Sequence, residues 1–276
     1  MTIDRPRRPG PTVRTRVEEF DGAGERSRED RLATEEPLEI RLAWPGAPAH
    51  RVWVTMRTPG NDFELAAGWL VHEGLARPAA ISGIAYCTDV DLAPEQELNV
   101  VTVTLSGPPT AAAGRLESQA TGSSACGVCG KDSVDAALTT PRAEPWAGPL
   151  PSPDVVRRLP TLLYERQTIF ARTGGVHAAA LATADGDLLV VREDVGRHNA
   201  VDKVTGARVL GGASPSEAVL VVSGRAGFEL VQKAVAAGIG SLVAVGAPTS
   251  LSVRLAEESG LVLYGFTRGD RCVRYV

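Results

Sequence analysis

The sequence predicts a layered α/β domain with a largely parallel sheet, preceded by a smaller α+β domain. Three observations carry this. Beyond residue 153, short apolar runs alternate with helical stretches, and the runs pass into turns of small residues before the next helix. Residues 31–110 hold strands of alternating polarity around a single helical pattern. The chain of 276 residues is long enough for two ordinary domains, each with its own core.

Residues 1–30 are dense in Pro, Gly, Arg and Glu with few apolar anchors, and predict a mostly disordered tail. Residues 37–42 and 51–56 then alternate and predict an antiparallel pair turned at Pro45–Gly46. Asn61 and Asp62 open a helix over 63–73 that Gly74 ends, with His72 in its last turn as a cap for carbonyls. Two further strands follow at 81–88 and 97–105, the second alternating Val and Thr. Residues 111–130 read as a mobile loop of small and polar residues, and the larger domain occupies 131–276. The proline-rich stretch from Pro141 to Pro153 connects two helical stretches.

That loop contains Cys126–Gly127–Val128–Cys129, flanked by Gly130, Lys131 and a predicted helix start near Asp132. Two thiols at this spacing can close a small disulfide, share a metal, or let one sulfur attack while the other resolves. Glycine-bordered amides, a lysine and a helix N-terminus all favour thiolate over thiol. The other reading is half of a zinc site, but Cys87 and Cys272 are single and distant, so the expectation is reactive thiols and no intrinsic metal. A net charge of −4 argues against broad nucleic-acid binding. No apolar run reaches the ~20 residues of a membrane helix, and the N-terminus lacks a signal-peptide core, so a cytoplasmic protein with working thiols is expected.

Three turns in the second half suit an anion. His177 follows Thr173–Gly174–Gly175–Val176, Ser223–Gly224–Arg225 precedes a helix over 228–237, and Gly246 to Ser250 precedes one over 253–258. Strand, small-residue turn and helix leave free amides where phosphate is stabilised, and Arg172, Arg225 and Arg268 stand nearby. Between these turns lies the polar run Glu193 to Lys203, in which Arg197 opens a helix. There His198 and Asp202 are i,i+4 neighbours, so the carboxylate can set the imidazole tautomer, or the run is simply a solvated helix start with ordinary ion pairs.

CGVCG at 126–130, TGGVHAAA at 173–180, EDVGRHNAVDK at 193–203, SGRAGFELVQK at 223–233 and GFTRGDR at 265–271 together resemble the FdhD family, formate dehydrogenase accessory sulfurtransferases. The resemblance implies a persulfide carrier, with Cys126 bearing the sulfur and Cys129 assisting. Sulfur would come from a cysteine desulfurase and pass to the molybdenum cofactor, in its bis-molybdopterin guanine dinucleotide form, on behalf of formate dehydrogenase. It also implies a homodimer and a cytidine-deaminase-like fold for the second domain. The cofactor contact falls on Phe266, Thr267, Arg268, Gly269, Asp270 and Arg271, with GDP as an analogue, and Ser223, Arg225, His177, Arg197 and His198 are expected beside it. Deaminase chemistry is not expected: zinc deaminases need H-x-E with P-C-x-x-C, no histidine here is followed by x-Glu, and Ala125 stands in the proline's place. A disulfide oxidoreductase using the same cysteines, or a cofactor chaperone needing neither, are the competing classes.

Overall fold

The computed structural model describes residues 10–22, 24–87, 98–110 and 141–276. Among these residues, three sheets and six α-helices form a mixed α/β protein.

The first element described departs from expectation. In place of a disordered tail, β1 (Thr12–Asp21) and β2 (Gly24–Ala33) form an antiparallel two-stranded sheet. What holds it is charge order, not a core. Arg26 sits directly opposite Glu19 and pairs with it at 2.6 Å, Arg14 reaches Glu29 at 3.3 Å, and Arg16 donates to Ser27 at 2.8 Å. Cross-strand pairs of this kind contribute only about 0.2–1 kcal/mol each, so backbone ladders supply the rest. The apolar side chains Val13, Phe20 and Leu32 stay exposed, which is why no hydrophobic pattern announces the element.

The second sheet has the order β4-β3-β6-β5, from β3 (Glu36–Trp44), β4 (Ala47–Arg57), β5 (Ile81–Tyr86) and β6 (Val100–Leu105). The β3–β4 hairpin turns at Pro45–Gly46 as the alternation predicts. Leu38, Ile40 and Leu42 point to one face with Val101, Val103 and Leu105, and α1 (Asp62–His72) covers them with Leu65, Trp69 and Leu70. Trp69 stacks on Trp53 at 4.8 Å between ring centroids.

The third sheet runs β12-β11-β10-β9-β7-β8. Its strands are β7 (His177–Ala182), β8 (Leu188–Asp194), β9 (Val219–Val222), β10 (Ser241–Ala244), β11 (Val262–Arg268) and β12 (Arg271–Arg274). Only β9, β10 and β11 are mutually parallel; β7–β8 and β11–β12 are hairpins at either side, and β7 also pairs antiparallel with β9. The expectation of a largely parallel sheet fails for a geometric reason. A turn as short as Thr183–Asp187 or Gly269–Asp270 can return a strand only antiparallel.

Both faces of this sheet are covered. Val219 and Val221 face α2 (Pro153–Glu165), which contributes Val156, Leu159 and Leu163. Leu220 and Val222 face α4 (Arg197–Leu210) and α5 (Phe228–Ala237), with α6 (Ser250–Ser259) alongside. Strands buried on both sides read as unbroken apolar runs, as β9 does.

α1 of the small unit crosses α4 of the large one at two glycines. A Cβ on Gly68 would lie 1.9 Å from the Asp202 carbonyl oxygen, and one on Gly206 would lie 1.8 Å from that of Glu64. The backbones therefore touch, and polar groups lock around the crossing. Arg192 holds Glu64 through Nε at 2.5 Å and Nη2 at 2.7 Å, and Lys203 donates to the Thr58 carbonyl at 2.9 Å while pairing with Asp194 at 2.6 Å.

Candidate functional site

The parallel strands end level with one another, and their turns are joined through main chain. Gly246 N donates to Gly224 O at 2.9 Å, Ala226 N to Ala247 O at 3.1 Å, and Phe266 N to Gly246 O at 3.0 Å. Above this floor opens a cleft of ≈ 700 Å³. One wall is polar, made by His177, Ser223, Thr267, Arg268 and Gly269; the other comes from the end of α2 and from α3 (Phe170–Thr173), with Leu163, Tyr164, Gln167 and Phe170. A cleft beyond the carboxyl ends of parallel strands is where open α/β sheets bind ligands.

Each wall is held locally. Ser223 Oγ accepts from Ala178 N at 2.9 Å, tying the β9 turn to the start of β7. Glu193 accepts from Ile169 N and Phe170 N, both at 2.8 Å, so a carboxylate fixes the first turn of α3. Gly174, left-handed at φ 64°, ends that helix and turns the chain toward His177. Burial first, then the nearby Arg197 and His198, push the His177 pKa below the usual 6.5, so its imidazole is neutral at pH 7. The Thr267 hydroxyl is fully buried without a hydrogen-bond partner among the described residues.

Phe266 forms the rim. Its φ of 49° is left-handed, an outlier for a bulky residue, and its ring is exposed with the Arg271 guanidinium 5.5 Å from the centroid. Arg268 and Asp270 are exposed beside it on the turn that Gly269 makes at φ 58°.

The structure thus brings together His177, Ser223, Thr267, Arg268 and Gly269 as cleft lining, with Phe266 next to them in β11. Others fall elsewhere. Arg225 is exposed and backs onto Gly246, outside the lining. Arg197 stands behind Gly224, where a Cβ would meet both it and His177. The predicted pairing of His198 with Asp202 is replaced: His198 Nε2 meets Glu229 at 2.6 Å in the first turn of α5, while Asp202 Oδ1 meets His72 at 2.5 Å and Lys233 at 2.7 Å. Neighbouring helices offer each side chain a partner across the interface, and that outcompetes the i,i+4 contact.

His72 is accordingly no carbonyl cap. It is buried, and burial above all pushes its pKa down, so the neutral ring donates from Nδ1 to Asp202. Burial alone would raise the Asp202 pKa, but Lys233 and His72 bring it below the usual carboxylate value. Sequence reasoning missed this triad, and it also missed Tyr164, Gln167 and Phe170, which lie between motifs. Their one visible signal was aromatic residues at the end of an otherwise amphipathic helix. Cys126, Cys129 and the predicted helix after them lie outside the described residues. Among the described residues, no three His, Cys, Asp or Glu side chains converge as metal ligands.

A doubly covered sheet with a half-polar, half-aromatic cleft at its parallel strand ends defines an α/β protein with the kind of concave, partly apolar site in which small-molecule ligands are generally held. The chain belongs to the FdhD/NarQ family, whose defining sequence pattern matches residues 33–276. The sulfur carrier protein FdhD of Streptomyces coelicolor is 49% identical to it over 264 residues, 94% of this chain and 92% of the relative. That of Mycobacterium tuberculosis is 45% identical over 272 residues, 94% of each. The fold matches a crystal structure described as a formate dehydrogenase accessory protein from Desulfotalea psychrophila, with a TM-score of 0.71, 24% identity and 96% of both chains covered.

Proposed function

We propose that this protein is a sulfur carrier that receives persulfide sulfur from a cysteine desulfurase and delivers it to the molybdenum cofactor, as bis-molybdopterin guanine dinucleotide, for formate dehydrogenase. The observation that carries the reading is the cleft: ≈ 700 Å³ of space bounded by Ser223, His177 and the Thr267–Gly269 turn, large enough for a nucleoside diphosphate. The similarity to sulfur carrier proteins supports the transfer chemistry.

In that chemistry the Cys126 thiolate attacks the terminal sulfur of the donor persulfide. The donor S–S bond breaks, the donor cysteine leaves as thiolate, and Cys126 carries the sulfur as its own persulfide. Attack by Cys129 on Cys126 Sγ would then release the outer sulfur as sulfide and leave the pair as a disulfide, which balances electrons. The cofactor is substrate here, its diphosphate taken by Arg268 and the turn amides, and its planar rings by Phe266 and the aromatic wall. A cytosolic setting keeps both thiols reduced. No helix among the described residues is long and apolar enough to cross a membrane. A homodimer, and a cytidine-deaminase-like layering of the larger unit, complete the reading; the mixed sheet covered on both faces supports the second.

The test is mass spectrometry after incubation with a cysteine desulfurase and cysteine. The peptide containing Cys126 should gain about 32 Da, one sulfur atom. An unmodified peptide, or an adduct on another residue, would remove Cys126 from the transfer.

A further inference from the structure

Gln167 is a polar residue on the cleft's apolar wall, which also carries Thr161. It is only 6% exposed, yet it lines the cleft. Its backbone groups are used: N donates to Tyr164 O at 3.1 Å, and O accepts from Ala171 N at 3.0 Å. Its carboxamide makes no hydrogen bond to any other described residue. A carboxamide that lines the cleft and has no partner among the described residues is free to pair with what enters the cleft.

Its surroundings narrow what it recognises. Tyr164 is 62% exposed and meets Phe170 edge-on, 6.2 Å between centroids and 70° between planes. Both line the cleft on either side of Gln167 in sequence, and Glu193 fixes the backbone of Phe170. Aromatic faces flanking a carboxamide suit a planar heterocycle: rings supply stacking, and the amide supplies one acceptor beside its donors. That pair complements a lactam edge, in which a ring N–H stands next to an oxo group. The 2-amino-4-oxopyrimidine ring common to guanine and pterin presents this edge.

We infer that Gln167 is a specificity-determining residue whose carboxamide reads the lactam edge of a guanine or pterin ring, against the Tyr164–Phe170 wall. This rests on the cofactor-binding reading above. It adds that the wall opposite Arg268 holds the heterocycle, leaving the phosphates to the turns.

Calorimetry on the full chain with GDP, neopterin and pyrophosphate tests it. Whichever heterocycle binds the wild type should bind Gln167→Met about tenfold more weakly, while pyrophosphate is held equally by both proteins. GDP binding without neopterin binding assigns the wall to guanine, and the reverse assigns it to pterin. Methylating the lactam nitrogen of the ligand that binds should cause the same loss on wild type and none further on the variant, a double cycle that does not depend on the substitution alone. Because the carboxamide bonds to no other described residue, a side chain of similar shape should leave the melting temperature unchanged. Undiminished affinity in Gln167→Met, or additive losses in the cycle, would overturn the role of Gln167 while leaving the cleft as a ligand site. If neither heterocycle binds wild type, both this inference and the cofactor reading fall.

Discussion

Phe266 shows how one residue can hold a strained backbone for the sake of where its ring points. A left-handed conformation costs a non-glycine residue about 1–2 kcal/mol, and Phe266→Gly relieves this while adding roughly 0.5–1 kcal/mol of unfolded-state entropy, so the two nearly cancel. The variant should therefore melt within a few degrees of wild type yet bind GDP about tenfold more weakly, because a stacked aromatic contributes about 1–3 kcal/mol per base. A large change in melting with unchanged GDP affinity would show that the ring serves the fold instead. His72 makes a second prediction, on pH. Its folded pKa lies below the unfolded 6.5, so between these values the unfolded chain binds the extra proton and stability falls as pH falls. The loss begins near pH 6.5, ends below the folded pKa, and costs at most about 1.4 kcal/mol per pH unit for one group. Asp202, Lys233 and Glu73 face His72, and the Asp202 carboxylate stays ionised through this window. His72→Asn retains a donor for Asp202 without the titration, so the slope of denaturation midpoints below pH 6.5 should become shallower, with His177, whose pKa is also lowered, still contributing. An unaltered slope would exonerate His72.

At the scale of elements, the α1–α4 crossing decides the sign of a substitution that helix propensity would get wrong. Gly in a helix interior is about 1 kcal/mol worse than Ala, so Gly206→Ala ought to stabilise α4. Here the added Cβ meets the Glu64 carbonyl at 1.8 Å, and backbone cannot yield as a side chain would. Urea denaturation should show a loss of about 3 kcal/mol or more, and any gain in stability would mean the helices stand further apart than this. The elements were legible unequally. The β3–β4 hairpin, α1 and the helix over 228–237 could be read because apolar residues recur in each at strand or helix spacing, and Gly74 ends its helix at φ 68° as a glycine there must. The β1–β2 hairpin could not, since both its faces are wet and its charges act only across the pair. Strand direction in the large sheet was equally hidden, because loop length rather than strand composition sets it.

For the whole molecule, the site could be read only as far as backbone chemistry reached. Small-residue turns pointed to His177 and Ser223, and the family resemblance to Thr267, Arg268 and Gly269; the fold brings these five to one cleft. Arg225 and His198 were misplaced because their partners come from distant sequence: Gly246 behind the one, Glu229 beside the other. Residue 167 carried no motif at all, its meaning arising only when α2 packs over the sheet. The molecule's proposed activity should nonetheless depend on one atom, the Cys126 sulfur. Cys126→Ala is expected to abolish formate dehydrogenase activation with no change in melting temperature, and Cys129→Ala to reduce it less. Activation that survives Cys126→Ala in a strain lacking the native copy would exclude the persulfide route, and equal, complete loss in both variants would indicate a shared metal or an obligatory disulfide, which metal analysis separates.

The main-chain bonds that join Gly224, Gly246, Ala247 and Phe266 have an evolutionary consequence. A floor fastened by amides and carbonyls does not depend on which side chains decorate it. Mutations at exposed rim positions such as Phe266, Arg268 or Asp270 can therefore accumulate without dismantling the platform, and lineages are free to retune what the cleft accepts while inheriting the same foundation. Natural variation along that rim should accordingly track ligand preference, whereas drift at Gly68 or Gly206 should be rare in any lineage.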